Sequence, residues 1–197
     1  MTDREDAPDP LDAVAWPLRT ERLVLRRGTP DDEAALWAYG RLEESARWIG
    51  WRAADRADFH RLASSRWATT LVVELDGRVI GDLMLKVGDA WAQREVRDAA
   101  RSCQAELGWV LDPRFGGHGY ATEAVRELLR LCFEDLGLRR VTAGAFAANE
   151  ASWRLMERVG MRRESSSVAD SLHRDLGWLD GVEYALLAQE WSARVTP

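Results

Sequence analysis

The chain has 197 residues, 46% of them hydrophobic, with 27 Lys and Arg against 33 Asp and Glu and a net charge of −6. That length and apolar content suffice for one sizeable core, while an acidic balance without any Lys/Arg-rich run argues against a nucleic-acid partner. Two cysteines, no signal-peptide pattern and no apolar run of membrane-spanning length predict a reducing, cytoplasmic setting with no membrane. The basic residues are Arg throughout, except for Lys86.

Residues 1–15 set Asp3, Glu5, Asp6, Asp9 and Asp12 among prolines and predict a flexible acidic leader, with one domain over 16–197. Leu18 to Arg26 alternates apolar and polar positions as a half-buried strand does. Thr29-Pro30-Asp31-Asp32 is a helix start with Thr29 as cap, and the helix runs to about Glu44. Residues 45–67 hold Trp48, Trp51, Phe59 and Trp67, with a second helix expected from Asp55 to Arg66. A hairpin follows, in which Thr69–Leu75 and Arg78–Leu85 flank the turn Asp76-Gly77. Asp89 to Arg101 is polar and helix-compatible, too long for a hairpin loop, and suits an insertion or a flap.

The central stretch reads strand, glycine turn, helix. Leu107 to Leu111 is an apolar run closed by Asp112-Pro113, and Gly116, Gly117 and Gly119 crowd the turn after it. Ala121, Ala124, Val125, Leu128, Leu131 and Cys132 then fall on one helical face, and Gly137 ends that helix. A glycine turn feeding a helix N-terminus suits an anion. His118-Gly119-Tyr120 lacks the Lys-Ser/Thr of a nucleotide-binding P-loop, and G-G-x-G is not the dinucleotide spacing. Arg140–Phe146 reads as the next strand, parallel to the first because a helix joins them. Asn149 opens a helix closed by Gly160, and Met161–Val168 and Val182–Trp191 read as a last strand pair joined by a loop-rich stretch. The order β, α, α, β, β, β, α, β, α, β, β predicts an α+β fold around a mixed sheet of about seven strands flanked by helices.

Arg114-x-x-Gly117-x-Gly119 resembles the (Q/R)-x-x-G-x-(G/A) pyrophosphate loop of the GNAT (GCN5-related N-acetyltransferase) superfamily. Thr20–Arg26, Glu106–Leu111, Gly119–Ala124, Asn149-x-x-Ser152 with Glu157-x-x-Gly160-Met161, and Asp180–Trp191 look like successive elements of its RimJ/RimL branch, which acetylates ribosomal-protein N-termini. The similarity runs in family order from about residue 18 to 191. It implies acetyl-CoA as cofactor, with the pantetheine arm lying in a splay between the fourth and fifth strands. Trp109, Val110 and Leu111 would supply backbone contacts, with an oxyanion donor near Val110. The pyrophosphate would rest on amides from Arg114 through Tyr120 (Phe115, Gly116, Gly117, His118 and Gly119 between them), continuing into Ala121 and Thr122, with the Arg114 side chain adding charge. Asn149 and Ser152 would meet the cofactor, although Asn149 is equally a favoured helix cap.

The reaction implied is direct acetyl transfer to a primary amine, either a protein N-terminus or a small molecule, in a homodimer by analogy with the family. Glu106 stands where the family often places the base, and a solvent-facing Glu at a strand end is the competing reading. The tyrosine that many relatives use as general acid is Met156 here, which leaves Ser152, a water or no acid at all. The small residues Ala143, Gly144 and Ala145 leave room near the thioester, and for an acyl group larger than acetyl, such as succinyl. Tyr184 and His173 could face the acceptor; Cys103 could hold an acetyl group. No second ligand stands at metal-binding spacing from His118, so no metal is expected. Two other classes stay open: an acyl-CoA sensor without turnover, supported by Met156, and an interaction protein whose ten tryptophans form a docking surface.

Overall fold

The computed structural model describes residues 9–195, of which Val195 only by its backbone. Residues 1–8, most of the expected leader, lie outside the described residues. The remainder of that leader is packed. Pro10–Ala13 forms a 3-10 helix whose cap, Asp9, accepts from the Leu11 N–H at 3.0 Å, and Leu11 is buried in the main core. Arg27 reaches Asp9 at 3.0 Å, and the Trp16 indole donates to the Leu11 carbonyl.

One eight-stranded sheet runs β1-β2-β3-β4-β5-β6-β8-β7. The expected strand at 18–26 is a hairpin of β1 (Leu18–Arg19) and β2 (Leu23–Arg27), folded at Thr20 to Arg22, which accounts for the strand beyond the seven expected. β3 (Thr70–Leu75) and β4 (Arg78–Gly88) turn at Asp76 and Gly77, both with positive φ as a two-residue hairpin requires. β5 (Gln104–Leu111) pairs antiparallel with β4 along its whole length and parallel with β6 (Arg140–Phe146), as the joining helix requires. Between β4 and β5, the 89–101 segment is a loop around a 3-10 turn at Arg94–Ala100. Asp89 closes it by accepting the Ser102 N–H through its side chain and the Gln104 amide through its carbonyl.

The C-terminal region departs most from expectation. β7 (Arg162–His173) and β8 (Gly177–Leu187) form one long hairpin through the stretch expected to be loop. β8 also stops at Leu187, not Trp191. The Glu190 carboxylate accepts the Leu187 N–H at 2.8 Å, and α6 (Ala188–Val195) begins there.

Period-two alternation sends the strands' apolar residues to two clusters. Leu71, Val73, Leu83, Leu85, Leu107 and Val141 face the main core with α4 (Tyr120–Arg130) and α5 (Glu150–Arg158). α4 presents Ala124, Val125, Leu128 and Leu129 to that core and continues as a π turn through Asp135, which adds Leu131, Cys132 and Phe133. Val72 points the other way, into a smaller cluster with Leu36 and Tyr39 of α1 (Glu33–Gly40) and Phe59 and Ala63 of α3 (Arg56–Ser64). The short α2 (Glu43–Ala46) follows α1, so the helix expected at 29–44 is broken after Gly40. One face of the sheet thus carries α4 and α5, and the other is roofed by α1 to α3.

Candidate active site

β5 separates from β6 after three residues. Gln104, Ala105 and Glu106 pair with Arg140, Val141 and Thr142, and beyond Glu106 the two strands share no register. From Leu107 to Leu111 one edge of β5 is therefore open. Strand geometry fixes which groups lie on it. The Cys103 carbonyl accepts from Arg139 and the Ala105 carbonyl from Thr142, so odd-numbered residues address β6. The Asp112 N–H donates to Ile80, and a Cβ at Gly81 would meet the Val110 carbonyl at 2.6 Å, so even-numbered residues address β4. Leu107, Trp109 and Leu111 present N–H and C=O to the splay. Val110 does not, and an oxyanion donor there is ruled out by alternation.

The glycine loop offers a second row of donors. The Arg114, Phe115 and Gly116 amides, expected as phosphate donors, are consumed internally: the first by the Asp112 side chain, the others by the Asp112 and Pro113 carbonyls. The N–H groups of Gly117, His118, Gly119, Tyr120, Ala121 and Thr122 have no acceptor among the described residues. Gly117 (φ 79°) and Gly119 (φ 80°) adopt the left-handed conformation that gathers them at the N-terminus of α4, where the helix dipole adds partial positive charge. The unengaged amides thus span 117–122, beginning three residues later than the 114–122 stretch the sequence suggests and ending at the same residue.

Arg114 is already matched. It forms a forked pair with the buried Asp112 (Nε–Oδ1 2.9 Å, Nη2–Oδ2 2.5 Å), which holds the Asp112 carboxyl below the usual carboxylate range. The cation facing the loop is one the sequence reading passed over. Arg22 donates to the His118 carbonyl at 3.0 Å, lies 4.6 Å over the Tyr120 ring, and is held by Glu123 at 2.6 Å. Glu123 also accepts from the Thr20 hydroxyl and the Arg22 N–H, so the β1–β2 hairpin clamps the loop to the start of α4. The only signal in the sequence is Thr20-Glu21-Arg22, and the partner of Arg22, Glu123, lies 101 residues away. The His118 ring stacks on Tyr120, with Nδ1 at 2.7 Å from the Gly116 carbonyl.

At the start of α5, the Asn149 side chain caps the helix by accepting the Ser152 N–H at 3.4 Å, while its amide N–H₂ has no acceptor among the described residues. The Ser152 hydroxyl is likewise unengaged. Met156 is fully buried in the main core, away from any proton-transfer position.

A cavity of about 1000 Å³ joins these features. Its walls include Trp109, Val110, Leu111, Phe115, Gly116, Gly117, Gly119, Tyr120, Ala121, Thr122, Asn149 and Ser152. Arg114, His118 and Glu106 do not line it. Glu106 is exposed at the closed end of the splay, opposite Lys86 on β4 and Thr142 on β6. Its neighbour Glu183 has its pKa raised, by burial first and by the Glu106 charge second, among further carboxylates. That carboxyl packs over Gly144, where a Cβ would meet Glu183 Oε1 at 2.7 Å. Ala143 faces the core, so of the three small residues only Gly144 and Ala145 reach the cavity.

Two expected acceptor contacts are structural instead. Tyr184 is buried, donates to Glu157 at 2.9 Å and accepts from Arg163. The Nδ1 of buried His173 accepts the Asp175 and Leu176 amides, so Nε2 carries the proton and donates to the Arg47 carbonyl at 2.8 Å. Cys132 is packed in the core with its thiol pushed up to about 12 by burial, and Cys103 donates to the Ala100 carbonyl. On the far side of the cavity from α5, Leu36, Tyr39, Trp48, Ile49, Trp51, Phe59 and Trp67 form an apolar wall.

A strand edge without its partner, running into a row of unpaired amides at a helix N-terminus, defines a fold that holds a long molecule ending in phosphate. Residues 22–162 match the family model described as an acetyltransferase (GNAT) domain, and the chain belongs to that family. Its members transfer acetyl groups from acetyl-CoA. "Uncharacterized N-acetyltransferase YnaD" of Bacillus subtilis (strain 168) is 36% identical over 87 residues, 44% of this chain and 51% of that one. The chain therefore spans about half the length of that relative. Among solved structures, a GNAT-family acetyltransferase from Bacillus anthracis superposes with a TM-score of 0.75 at 26% identity, covering 89% of this chain and 100% of the other. Mycobacterium smegmatis RimJ in complex with CoA-disulfide superposes at 0.69 with 26% identity, over 85% and 83% of the two chains.

Proposed function

We propose that the protein is an acetyl-CoA-dependent N-acetyltransferase that acts on a primary amine by direct attack, working in the cytoplasm on a protein N-terminus or a small molecule. The observation that carries this reading is the unpaired row of amides from Gly117 to Thr122 at the end of an open strand edge. Acetyl-CoA supplies a thioester whose carbonyl carbon accepts the amine and whose sulfur leaves as a thiolate. The residues present suit it: six consecutive donors for pyrophosphate, the edge of Leu107, Trp109 and Leu111 for the pantetheine amides, and the unengaged Asn149 amide beside them. On this reading the Leu107 or Trp109 N–H, fixed in place by strand pairing on the opposite edge, would donate to the thioester carbonyl oxygen and stabilise the negative charge that attack places on it. Ser152, free in the cavity wall, donates toward the departing sulfur. Glu106 lies outside the cavity lining, so the amine's proton reaches it through water.

Titration calorimetry with acetyl-CoA tests this. The wild-type protein binds, and Gly117→Glu, which sets a carboxylate among the amides and a side chain at φ 79°, weakens binding at least tenfold. Absence of wild-type binding overturns the reading. The reading extends to a homodimer, for which the exposed Val168, Leu172 and Trp178 of the β7–β8 hairpin offer apolar surface; sedimentation velocity decides it.

A further inference from the structure

The amine-acceptor side of the cavity holds a carboxylate with one oxygen engaged and one free. Asp82 lies on β4, directly opposite Val110 in the register with β5. Its Oδ1 accepts from the Tyr39 hydroxyl at 2.5 Å, and Tyr39, buried in the smaller cluster, spends its only proton there. Oδ2 has no hydrogen-bond partner among the described residues, yet it is not sealed off from solvent, and the residue lines the cavity. A carboxylate enclosed by apolar walls is costly unless its remaining lone pairs are met. The walls around it are aromatic (Trp48, Trp51, Phe59 and Trp67), and such rings attract cations as well as apolar groups.

Resting on the transferase reading, we infer that Asp82, oriented by Tyr39, receives the ammonium group of the acceptor, and that the acceptor is a primary amine on an aromatic or apolar body. Strand neighbours lie about 4.8 Å apart, so an amine held by Asp82 sits beside the strand whose other edge faces the splay. Asp82 therefore acts as a binding and specificity residue; loss of the proton before attack belongs to the water route described above. Two cations, Arg66 and Arg158, line the same cavity, and Arg66 lies 5.4 Å from the Trp51 ring centroid on the aromatic side, which disfavours acceptors carrying a second positive charge. Burial pushes the Asp82 carboxyl up to about 6, against the Tyr39 hydrogen bond and the Arg66 charge, which pull it down. The groups facing it are Tyr39 from α1 and Arg66 beyond α3, with exposed Glu44 at the rim and only Val72 and Val110 opposite on the neighbouring strands.

The test is calorimetric titration of the full chain, with and without saturating coenzyme A, using 2-phenylethylamine, the uncharged 2-phenylethanol and the polycation spermidine. The expected result is that the amine binds at least tenfold tighter than the alcohol or spermidine. Asp82→Asn removes that preference while leaving the coenzyme A affinity within twofold. Tyr39→Phe, which frees Oδ1, shifts amine affinity and spares coenzyme A. In the wild type, amine affinity falls about tenfold between pH 7 and pH 5 as Asp82 takes up a proton, a readout that stands even if Asp82→Asn fails to fold. Equal amine binding by Asp82→Asn and wild type, an amine no tighter than the alcohol, or no amine binding by protein that holds coenzyme A, each overturns the inference. Failure to bind coenzyme A overturns the transferase reading instead, and the titrations without coenzyme A still decide the role of Asp82.

Discussion

Asp112 carries two tasks with one carboxylate. It caps the 3-10 turn at Pro113–Phe115 through the Arg114 N–H and holds the Arg114 guanidinium, at the point where β5 gives way to the phosphate loop. Arg114 lowers its pKa in the folded state, so its stabilisation is complete above the unfolded carboxylate range and is lost as pH falls through the folded value. Asp112→Asn should lower the urea midpoint at pH 7, and the gap from wild type should narrow as pH falls through the folded Asp112 value, which lies below the usual carboxylate range. A gap that stays constant as pH is lowered through the acid range would mean that shape, not charge, is what Asp112 supplies. The same pairing means that the Arg114 guanidinium, which reads as a phosphate ligand in sequence, faces a carboxylate in the structure. The motif places a cation, but a buried carboxylate two residues earlier has already claimed it.

At the scale of elements, β5 beyond Glu106 is held from one side only, so whatever disturbs β4 reaches the open edge. Gly81 is the tightest point, since an added Cβ would meet the Val110 carbonyl at 2.6 Å and Leu111 Cδ1 at 2.9 Å. Backbone cannot move aside as a side-chain tip can. Gly81→Ala should cost about 1–3 kcal/mol in chemical denaturation and weaken acetyl-CoA binding as β5 shifts. Unchanged affinity in a destabilised variant would show that the edge geometry survives the strain. The elements legible in the sequence are those set by local rules. The Asp76-Gly77 turn, the amphipathic α4, the Asn149 cap and the parallel β5–β6 pair each follow from a few adjacent residues. Features built by distant pairing were not legible. Asp82 and Tyr39 are 43 residues apart, and neither has a neighbour in sequence that announces the other. Thr20–Arg22 read as uninterrupted strand because the carboxylate that bends it, Glu123, belongs to α4. Polar residues at 169–173 hid the outer part of β7, a strand exposed along nearly its whole length, of which the sequence showed 161–168.

Across the whole molecule, the β7–β8 hairpin braces the acceptor wall from the far edge of the sheet. His173 donates to the Arg47 carbonyl, Arg174 donates to the Ile49 carbonyl at 2.8 Å, and Trp48 sits against both Phe146 and His173. Residues 47–49 are thereby fixed by a contact 126 positions away in the chain. His173→Ala should cost about 1–3 kcal/mol by stranding the Arg47 carbonyl and two amides. It should also raise the acceptor KM while leaving the acetyl-CoA KM unchanged, with faster hydrogen exchange over 45–51. An acetyl-CoA KM that rises in step would place the hairpin's influence on the splay instead.

Lys86, exposed on β4 opposite Glu106, is the only lysine in the chain. A protein that works beside an activated thioester is exposed to its own reagent, and lysine is the side chain that reagent modifies; arginine, charged at every physiological pH, is not. A surface whose other cations are all arginine is close to inert toward its own chemistry. Prolonged incubation with acetyl-CoA should acetylate no side-chain amine but that of Lys86, as peptide mapping reads it, and Lys86→Arg should abolish that acetyl group.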